Sequence, residues 1–242
     1  MARIIAHRGG GLEAPENSYT ALAHTRAAGV SWMETDVHIT ADGAVVLLHD
    51  PHVDRVLDGH GMLSELTWRE VSQMRDAAGD PPVLLLDALK EFPELRFIVD
   101  AKCDAVAGPL ARIARAHPER FFLASFCDAR LGYMAKIAPH TRFSAGQIIV
   151  GQLFGLSHLP LSAAVRLAKL DPGIRRASGV QVPEVYGKIR VLTDRFITLC
   201  HALGLRVDVW TVNDDVDICR LAGSTIDGII TDRPRRALEL LA

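Results

Sequence analysis

The sequence predicts a (β/α)8 barrel, and three observations carry that prediction. Strand-like and helix-like segments alternate from one end of the chain to the other, giving eight β positions when one short hairpin partner is counted with its strand. The chain has 242 residues, close to the roughly 250 such a barrel takes. The residue types that carry chemistry fall at the carboxyl ends of the strand-like segments, where a barrel places its site. An open doubly wound sheet is the competing architecture, but HRGGG after the first strand lacks the GxGxxG spacing. With no internal repeat, residues 1–242 read as one domain, with residues 51–82 as a small insertion.

The elements follow in order. Arg3–Ala6 reads as the first strand, and a helix runs from about Ser18 to Ala28, with Asn17 as its N-cap and Gly29 as its stop. Trp32–Ile39 and Val45–Leu48 form a hairpin around Ala41-Asp42-Gly43. The stretch from Pro51 to Pro82 is irregular and holds one short helix behind the capping-box pattern Thr67-Trp68-Arg69-Glu70. Helix Leu85–Phe92 then leads to strand Arg96–Ala101, helix Val106–His117 to strand Phe121–Ser125, and helix Ala129–Ala138 to strand Thr141–Ser144. Strand Gly179–Val182 precedes helix Asp194–Leu203, strand Arg206–Thr211, helix Asp215–Ala222, strand Gly228–Thr231 and a closing helix over Pro234–Leu241.

Composition narrows the class. A hydrophobic content of 49% supports a large core. A net charge of -2 and a pI near 6.5 give no footprint for nucleic acid, and Arg233, Arg235 and Arg236 read as a solvated helix start. Cys103, Cys127, Cys200 and Cys219 are far apart without a CxxC pair, which argues against a zinc knuckle or disulfide framework; Cys103 and Cys127 are expected to pack in the interior. The chain starts almost directly on a strand with no apolar leader, so a cytoplasmic location is expected. Residues 148–165 lack Asp, Glu, Lys and Arg, but their Gly, Pro, Ser and His content speaks against a membrane span. An apolar helix or loop beside a site, open to peripheral lipid contact, is the expectation there.

The chemistry is read first from Trp32–Asp50. Alternation puts Glu34, Asp36 and His38 on one face of the strand and Met33, Val37 and Ile39 on the other. Two carboxylates on an otherwise apolar strand repel each other and are costly to bury, and a metal ion resolves both problems. The next strand ends in His49-Asp50, and the first in His7-Arg8. Arg96–Ala101 presents Asp100, with Lys102 following, on the face opposite Val99. Each has a plain structural reading: Trp210 as core, Asp50 as a turn residue before Pro51, Asp232 as a cap of the last helix, His38 as a structural histidine. Convergence of so many on one end of one barrel is what those readings leave unexplained. Three carboxylates against Arg8 and Lys102 leave the site negative, and one divalent cation turns it positive by one charge, which suits a monoanion such as a phosphodiester. Oxygen-only ligands favour Mg²⁺ or Ca²⁺. His7 and His49 then serve as acid and base, with Arg8 and Lys102 on phosphoryl oxygens.

The ordered set HRG, PEN, ETD, HD, DAK, SF, WTVN and DGIITDRP resembles the glycerophosphodiester phosphodiesterase family, from residue 5 to about 234. The resemblance implies a TIM barrel in which residues 51–82 match the family's small insertion. It implies metal ligation by Glu34, Asp36 and Asp100, acid–base work by His7 and His49, and phosphate contact by Arg8 and Lys102. Trp210 is expected on the substrate, with Glu16, Asn17, Asp50, Ser125, Gln181 and Asn213 in supporting positions. Asp100 stands where the family often has Glu, one methylene longer. The reaction implied is hydrolysis of a glycerophosphodiester to glycerol 3-phosphate and an alcohol. Three rivals are a lysophospholipase D-type activity, motivated by residues 148–165; a non-catalytic barrel that binds phosphodiesters or lipids; and a hydrolase with clustered His ligands. The second predicts loss of a histidine or metal carboxylate, and the third an HxH motif on the first strand, which has only His7.

Overall fold

The structure is a computed structural model that describes residues 2–242. Its strands are β1 (Arg3–His7), β2 (Trp32–Ile39), β3 (Val45–Leu47), β4 (Arg96–Ala101), β5 (Phe121–Ala124), β6 (Arg142–Phe143), β7 (Gly179–Val182), β8 (Val185–Tyr186), β9 (Ile189–Arg190), β10 (Arg206–Val209) and β11 (Gly228–Thr231). Eight of them pair in parallel in the order β6-β5-β4-β2-β1-β11-β10-β7. A bridge between Ser144 and Gly179, with the Ser178 N–H donating to Phe143 O at 2.7 Å, brings β7 back to β6 and closes the circle. The barrel predicted from the sequence is the fold observed. β3 pairs antiparallel with the far end of β2, as the hairpin reading requires.

Strand parity decides what faces where. On β2, β4 and β5 the outward side chains Met33, Val37, Phe97, Val99, Phe121 and Leu123 are fully buried beneath helices α3 (Leu85–Glu91) and α4 (Asp104–Ala116). Inward side chains Ile5, Trp32, Ile98, Phe122 and Ile230 fill the middle of the barrel. A parallel strand is buried on both faces, so these strands are nearly continuous apolar runs and their exceptions stand out. Glu34, Asp36 and Asp100 are buried, inward-facing exceptions at the carboxyl end.

Several boundaries differ from expectation. The first helix is α1 (Tyr19–Ala27), capped by Ser18, whose hydroxyl accepts from the Ala21 N–H at 3.0 Å. Asn17 is not its N-cap: it lies at φ +56°, outside the extended conformation a cap adopts, and its side chain accepts from the Thr35 hydroxyl at 2.7 Å. The insertion holds α2 (Trp68–Val71) with both arms of the capping box formed, after a short 3-10 turn at Leu63–Glu65. Its Val53, Leu63 and Val71 pack with Val46 of β3 and Leu48 into one small core. α5 (Asp128–Ile137) follows β5. The uncharged segment forms α6 (Gln147–Leu156) and α7 (Leu161–Ala168), broken at Pro160, followed by α8 (Pro172–Arg176). Among the described residues no helix is long and apolar enough to cross a membrane. The two-residue ladder of β8 and β9, joined through Gly187 at φ +61°, has no periodicity long enough to read from sequence.

The chain closes with α9 (Asp194–Ala202), α10 (Asp215–Ala222) and α11 (Pro234–Leu241). The Glu13 carboxylate accepts from the Arg235 and Arg236 N–H groups, both at 3.1 Å, tying the start of α11 to the loop after β1. Arg233 and Arg236 pair with Asp215 of α10, so this basic cluster is a helix–helix contact.

Gly228 stands where the interior leaves no room for a side chain: a Cβ there would lie 2.2 Å from Asp208 Oδ1 and 2.9 Å from Ile5 Cδ1. Gly228→Ala is expected to cost about 1–3 kcal/mol of stability through overpacking, read as a lowered midpoint in denaturant unfolding. An unchanged midpoint would show that Asp208 is free to move aside.

Candidate active site

The loop after β1 builds the first part of the site. Arg8, Gly9 and Gly10 all have positive φ, at +51°, +83° and +98°, which turns the chain sharply at the barrel mouth. Gly9 meets two demands, because a Cβ there would also stand 2.5 Å from Ala21 Cβ of α1. The turn leaves His7 and Arg8 at the carboxyl end of β1. β11 pairs with β1 in register Ala6 to Thr231, so Asp232 lies beside His7. His7 Nδ1 meets Asp232 Oδ1 at 2.6 Å, and Asp232 Oδ2 accepts from Asn213 Nδ2 at 2.7 Å. A carboxylate on Nδ1 fixes the tautomer and leaves Nε2, 3.7 Å from Glu34, for the cleft. Burial disfavours the His7 imidazolium, but the Asp232 bond and the Glu34 charge outweigh it and hold the pKa above its ordinary value. Asp232 therefore does not cap α11, whose N-cap position makes no side-chain bond.

His49 repeats the arrangement from β3. Its Nδ1 meets Asp50 Oδ1 at 2.6 Å. The other Asp50 oxygen is bound by Arg55 Nε, and Arg55 makes a two-pronged contact with Glu16 at 2.9 and 2.7 Å. Glu16 also faces Arg8 at 3.3 Å, so the chain of charges runs from one histidine's partner to the residue beside the other histidine. The Arg55 bond is the main cause of a pKa of about 2 at Asp50, against an opposing effect of burial, and the His49 bond assists it.

Three carboxylates line the mouth between the two histidines. Lys102 Nζ bridges Asp36 Oδ1 at 2.7 Å and Asp100 Oδ2 at 2.8 Å, and Arg8 Nε stands 3.1 Å from Asp36 Oδ2 without hydrogen-bond geometry. Burial opposes the Lys102 charge, but the Asp100 and Asp36 charges override it and raise the pKa. Glu34 has no such cation on it, and burial, then repulsion from Asp36, push its pKa far above the carboxylate range. One oxygen each of Glu34, Asp36 and Asp100 is buried and accepts no hydrogen bond. This all-oxygen set with unmet acceptors fits a hard divalent cation in its chemistry. In the arrangement observed, however, no three His, Cys, Asp or Glu side chains among the described residues gather around one point.

The cleft above these groups has a volume of about 390 Å³. His7, Arg8, Glu34, Asp36, His49, Asp100 and Lys102 form one side, and Val150, Phe154, Val182, Pro183, Ile189 and Val191 form an apolar wall opposite. Trp210 stands between them, edge-on to Phe126 with centroids 6.0 Å apart. Gln181 lines the cleft and its side-chain N–H₂ is buried without a partner. Ser125 also lines it, though its hydroxyl donates to Ala101 O and accepts from Arg130. Glu16, Asn17, Asp50 and Asn213 lie behind the surface and hold other side chains. His38 donates from Nε2 toward His49 O at 3.2 Å, the structural role expected of it. Cys103 and Cys127 are half-buried at the N-caps of α4 and α5, more exposed than the interior packing expected of them. The roles of two residues are not legible in the sequence. Asp232 was visible at a strand end, but only closure of β11 onto β1 makes it the partner of His7. Arg55 lies in the irregular insertion and carried no signal.

Asp232→Asn removes the charge that holds His7 up, so its imidazole is expected to titrate at lower pH, measured by NMR; an unmoved titration would refute the coupling. The folded Asp50 pKa lies below its unfolded value of 3.8, so its contribution to stability is complete above that value and is lost as pH falls toward 2. Asp50→Asn is expected to flatten the fall of unfolding free energy between those two pH values. An acid limb as steep as that of the unsubstituted chain would contradict this.

Residues 7–236 match the pattern of the Glycerophosphoryl diester phosphodiesterase family. The chain is 30% identical over 234 residues to a probable glycerophosphodiester phosphodiesterase 2 of Mycobacterium tuberculosis, covering 95% of this chain and 86% of the relative. It is 28% identical to a glycerophosphodiester phosphodiesterase of Caldanaerobacter subterraneus subsp. tengcongensis, covering 98% and 97%. Its fold is similar to that of an Oleispira antarctica phosphodiesterase solved with the product sn-glycerol-3-phosphate, at a TM-score of 0.78 and 20% identity over 100% of this chain and 97% of the other. The Thermotoga maritima glycerophosphodiester phosphodiesterase gives 0.77 and 20% over 99% and 98%. The chain belongs to the glycerophosphoryl diester phosphodiesterase family, and is thereby a phosphoric diester hydrolase.

Proposed function

We propose that this chain hydrolyses glycerophosphodiesters to glycerol 3-phosphate and an alcohol, using His7 and His49 as the acid–base pair and one divalent cation, Mg²⁺ or Ca²⁺. The observation that carries this reading is the pair of imidazoles on one cleft, each held at Nδ1 by a carboxylate at 2.6 Å. Each Nε2 is left to exchange a proton: one takes it from the attacking oxygen, either water or first the glycerol 2-hydroxyl with water then opening the cyclic phosphate, and the other gives one to the departing alcohol. Arg8 and Lys102 bring positive charge to the phosphoryl oxygens while balancing Asp36 and Asp100. Trp210 and Gln181 line the cleft where the glycerol and the alcohol would lie. Glu34, Asp36 and Asp100 would hold the cation, which when bound supplies charge neutralisation and activation of the oxygen nucleophile. All four cysteines are free thiols, in keeping with a cytoplasmic location.

The apolar wall favours a second reading of the substrate. Val150 and Phe154 of α6 and Ile189 of β9 would accommodate an acyl chain, which makes lysophospholipids candidates and α6–α7 a region for peripheral lipid contact. Ile148, Leu159 and Leu161 are exposed there. A wholly non-catalytic barrel is disfavoured by the retention of both histidines and all three acids.

Assays on glycerophosphocholine and lysophosphatidylcholine, each with chelator, Mg²⁺ and Ca²⁺, test both readings. Metal-dependent turnover of the first supports the main one, turnover confined to the second supports the alternative, and no turnover of either sinks both. His7→Ala and His49→Ala are each expected to lower kcat by about 10²–10⁴-fold. Near-normal turnover in either would remove that histidine from the mechanism. Cation binding has its own readout: at a hundred times Kd it should stabilise the fold by about 2.7 kcal/mol. That gain should vanish in Glu34→Gln or Asp100→Asn.

A further inference from the structure

The opposite end of the barrel carries an assembly that the catalytic cleft does not use. Arg3, Arg96, Arg142 and Arg206 are the first residues of β1, β4, β6 and β10. Around the barrel these are every second strand, separated by β2, β5, β7 and β11. Side chains from alternate strands make one layer of a barrel interior, so the amino-terminal mouth is floored by four guanidinium groups. The guanidinium carbons of Arg142, Arg3 and Arg96 stand 4.9, 5.2 and 6.0 Å from the ring centroid of Trp32. Arg206 is bound to Asp208 at 2.9 Å.

The charges at this mouth are not balanced. Arg3, Arg96 and Arg142 have no carboxylate partner among the described residues. Of the two nearby acids, Asp208 is deeply buried, and burial raises its pKa despite Arg206. Asp227 is engaged by the Val207 N–H at 2.8 Å and by His201 at 2.9 Å. Burial and then mutual repulsion lower the pKa values of Arg3 and Arg142. The indole N–H of Trp32 is buried without an acceptor. The Trp32 ring gathers three of the guanidiniums, and Arg142 also donates to Glu119 O at 3.1 Å, but neither contact neutralises their like charges or meets the Trp32 N–H.

We propose that this arginine layer is a binding site for a small phosphate-bearing polyanion, separate from the catalytic cleft. Guanidinium forks match phosphate oxygens two at a time, and one polyanion relieves the repulsion among all four. The apolar plug of Ile5, Ile98, Phe122 and Ile230 lies between this mouth and the cleft.

Calorimetric titration with inorganic pyrophosphate, in chloride buffer free of divalent ions, tests the site. Saturable binding is expected, weakened about tenfold or more by Arg142→Gln and by Arg96→Gln, and left unchanged by Lys102→Gln. Arg96 is exposed, so its substitution keeps the test open should Arg142→Gln fail to fold. Absent binding, or binding lost in Lys102→Gln and kept in both arginine variants, would overturn the proposal. So would arginine-dependent sedimentation with phosphatidylglycerol vesicles in the absence of pyrophosphate binding, which would assign the layer to a membrane surface.

Discussion

Three carboxylates buried in one barrel mouth set the constraint on which the rest of the candidate site depends. Glu34, Asp36 and Asp100 sit on adjacent paired strands, where water cannot screen their repulsion. Lys102 answers two of them by bridging Asp36 and Asp100, and Arg8 stands against Asp36. Glu34 is left to burial and to His7. A buried pair loses most when one partner is removed, because the other charge stays behind. The cations are thus part of what lets the acids be buried there at all.

The histidines answer to a second constraint, that of orientation. A strand end fixes where His7 and His49 begin, but not how their rings rotate. Carboxylates on each Nδ1 settle that, and both carboxylates are themselves held, Asp232 by Asn213 and Asp50 by Arg55. The insertion supplies Arg55, so the small core that its Val53, Leu63 and Val71 share with Val46 and Leu48 does more than fill a loop. It steadies a residue whose partners reach to Glu16 and, through it, Arg8.

Polarity along the barrel axis organises the molecule at a larger scale. The carboxyl end gathers three buried acids and two histidines with Arg8 and Lys102, the amino end four arginines with Asp208, and an apolar layer separates the two. Chain order does not suggest this, since the four arginines are spread from residue 3 to residue 206. It follows from each being the first residue of an alternate strand.

Local periodicity determined much of this protein. The alternation of apolar strands with helices fixed the barrel, and parity within Trp32–Ile39 put Glu34 and Asp36 inward and Met33 and Val37 outward. Both depend on covalent geometry that repeats every two residues, so they can be read from the chain. The N-cap is Ser18 and not the neighbouring Asn17: both are capping types, and only the positive φ of Asn17 separates them. Partners distant in sequence were decided by the tertiary structure alone. Asp232 reaches His7 across 225 residues because the last barrel strand closes on the first, and Arg55 reaches Glu16 across 39 because the insertion folds back. Barrel closure is a property of all eight strands together, and no local stretch encodes it by itself.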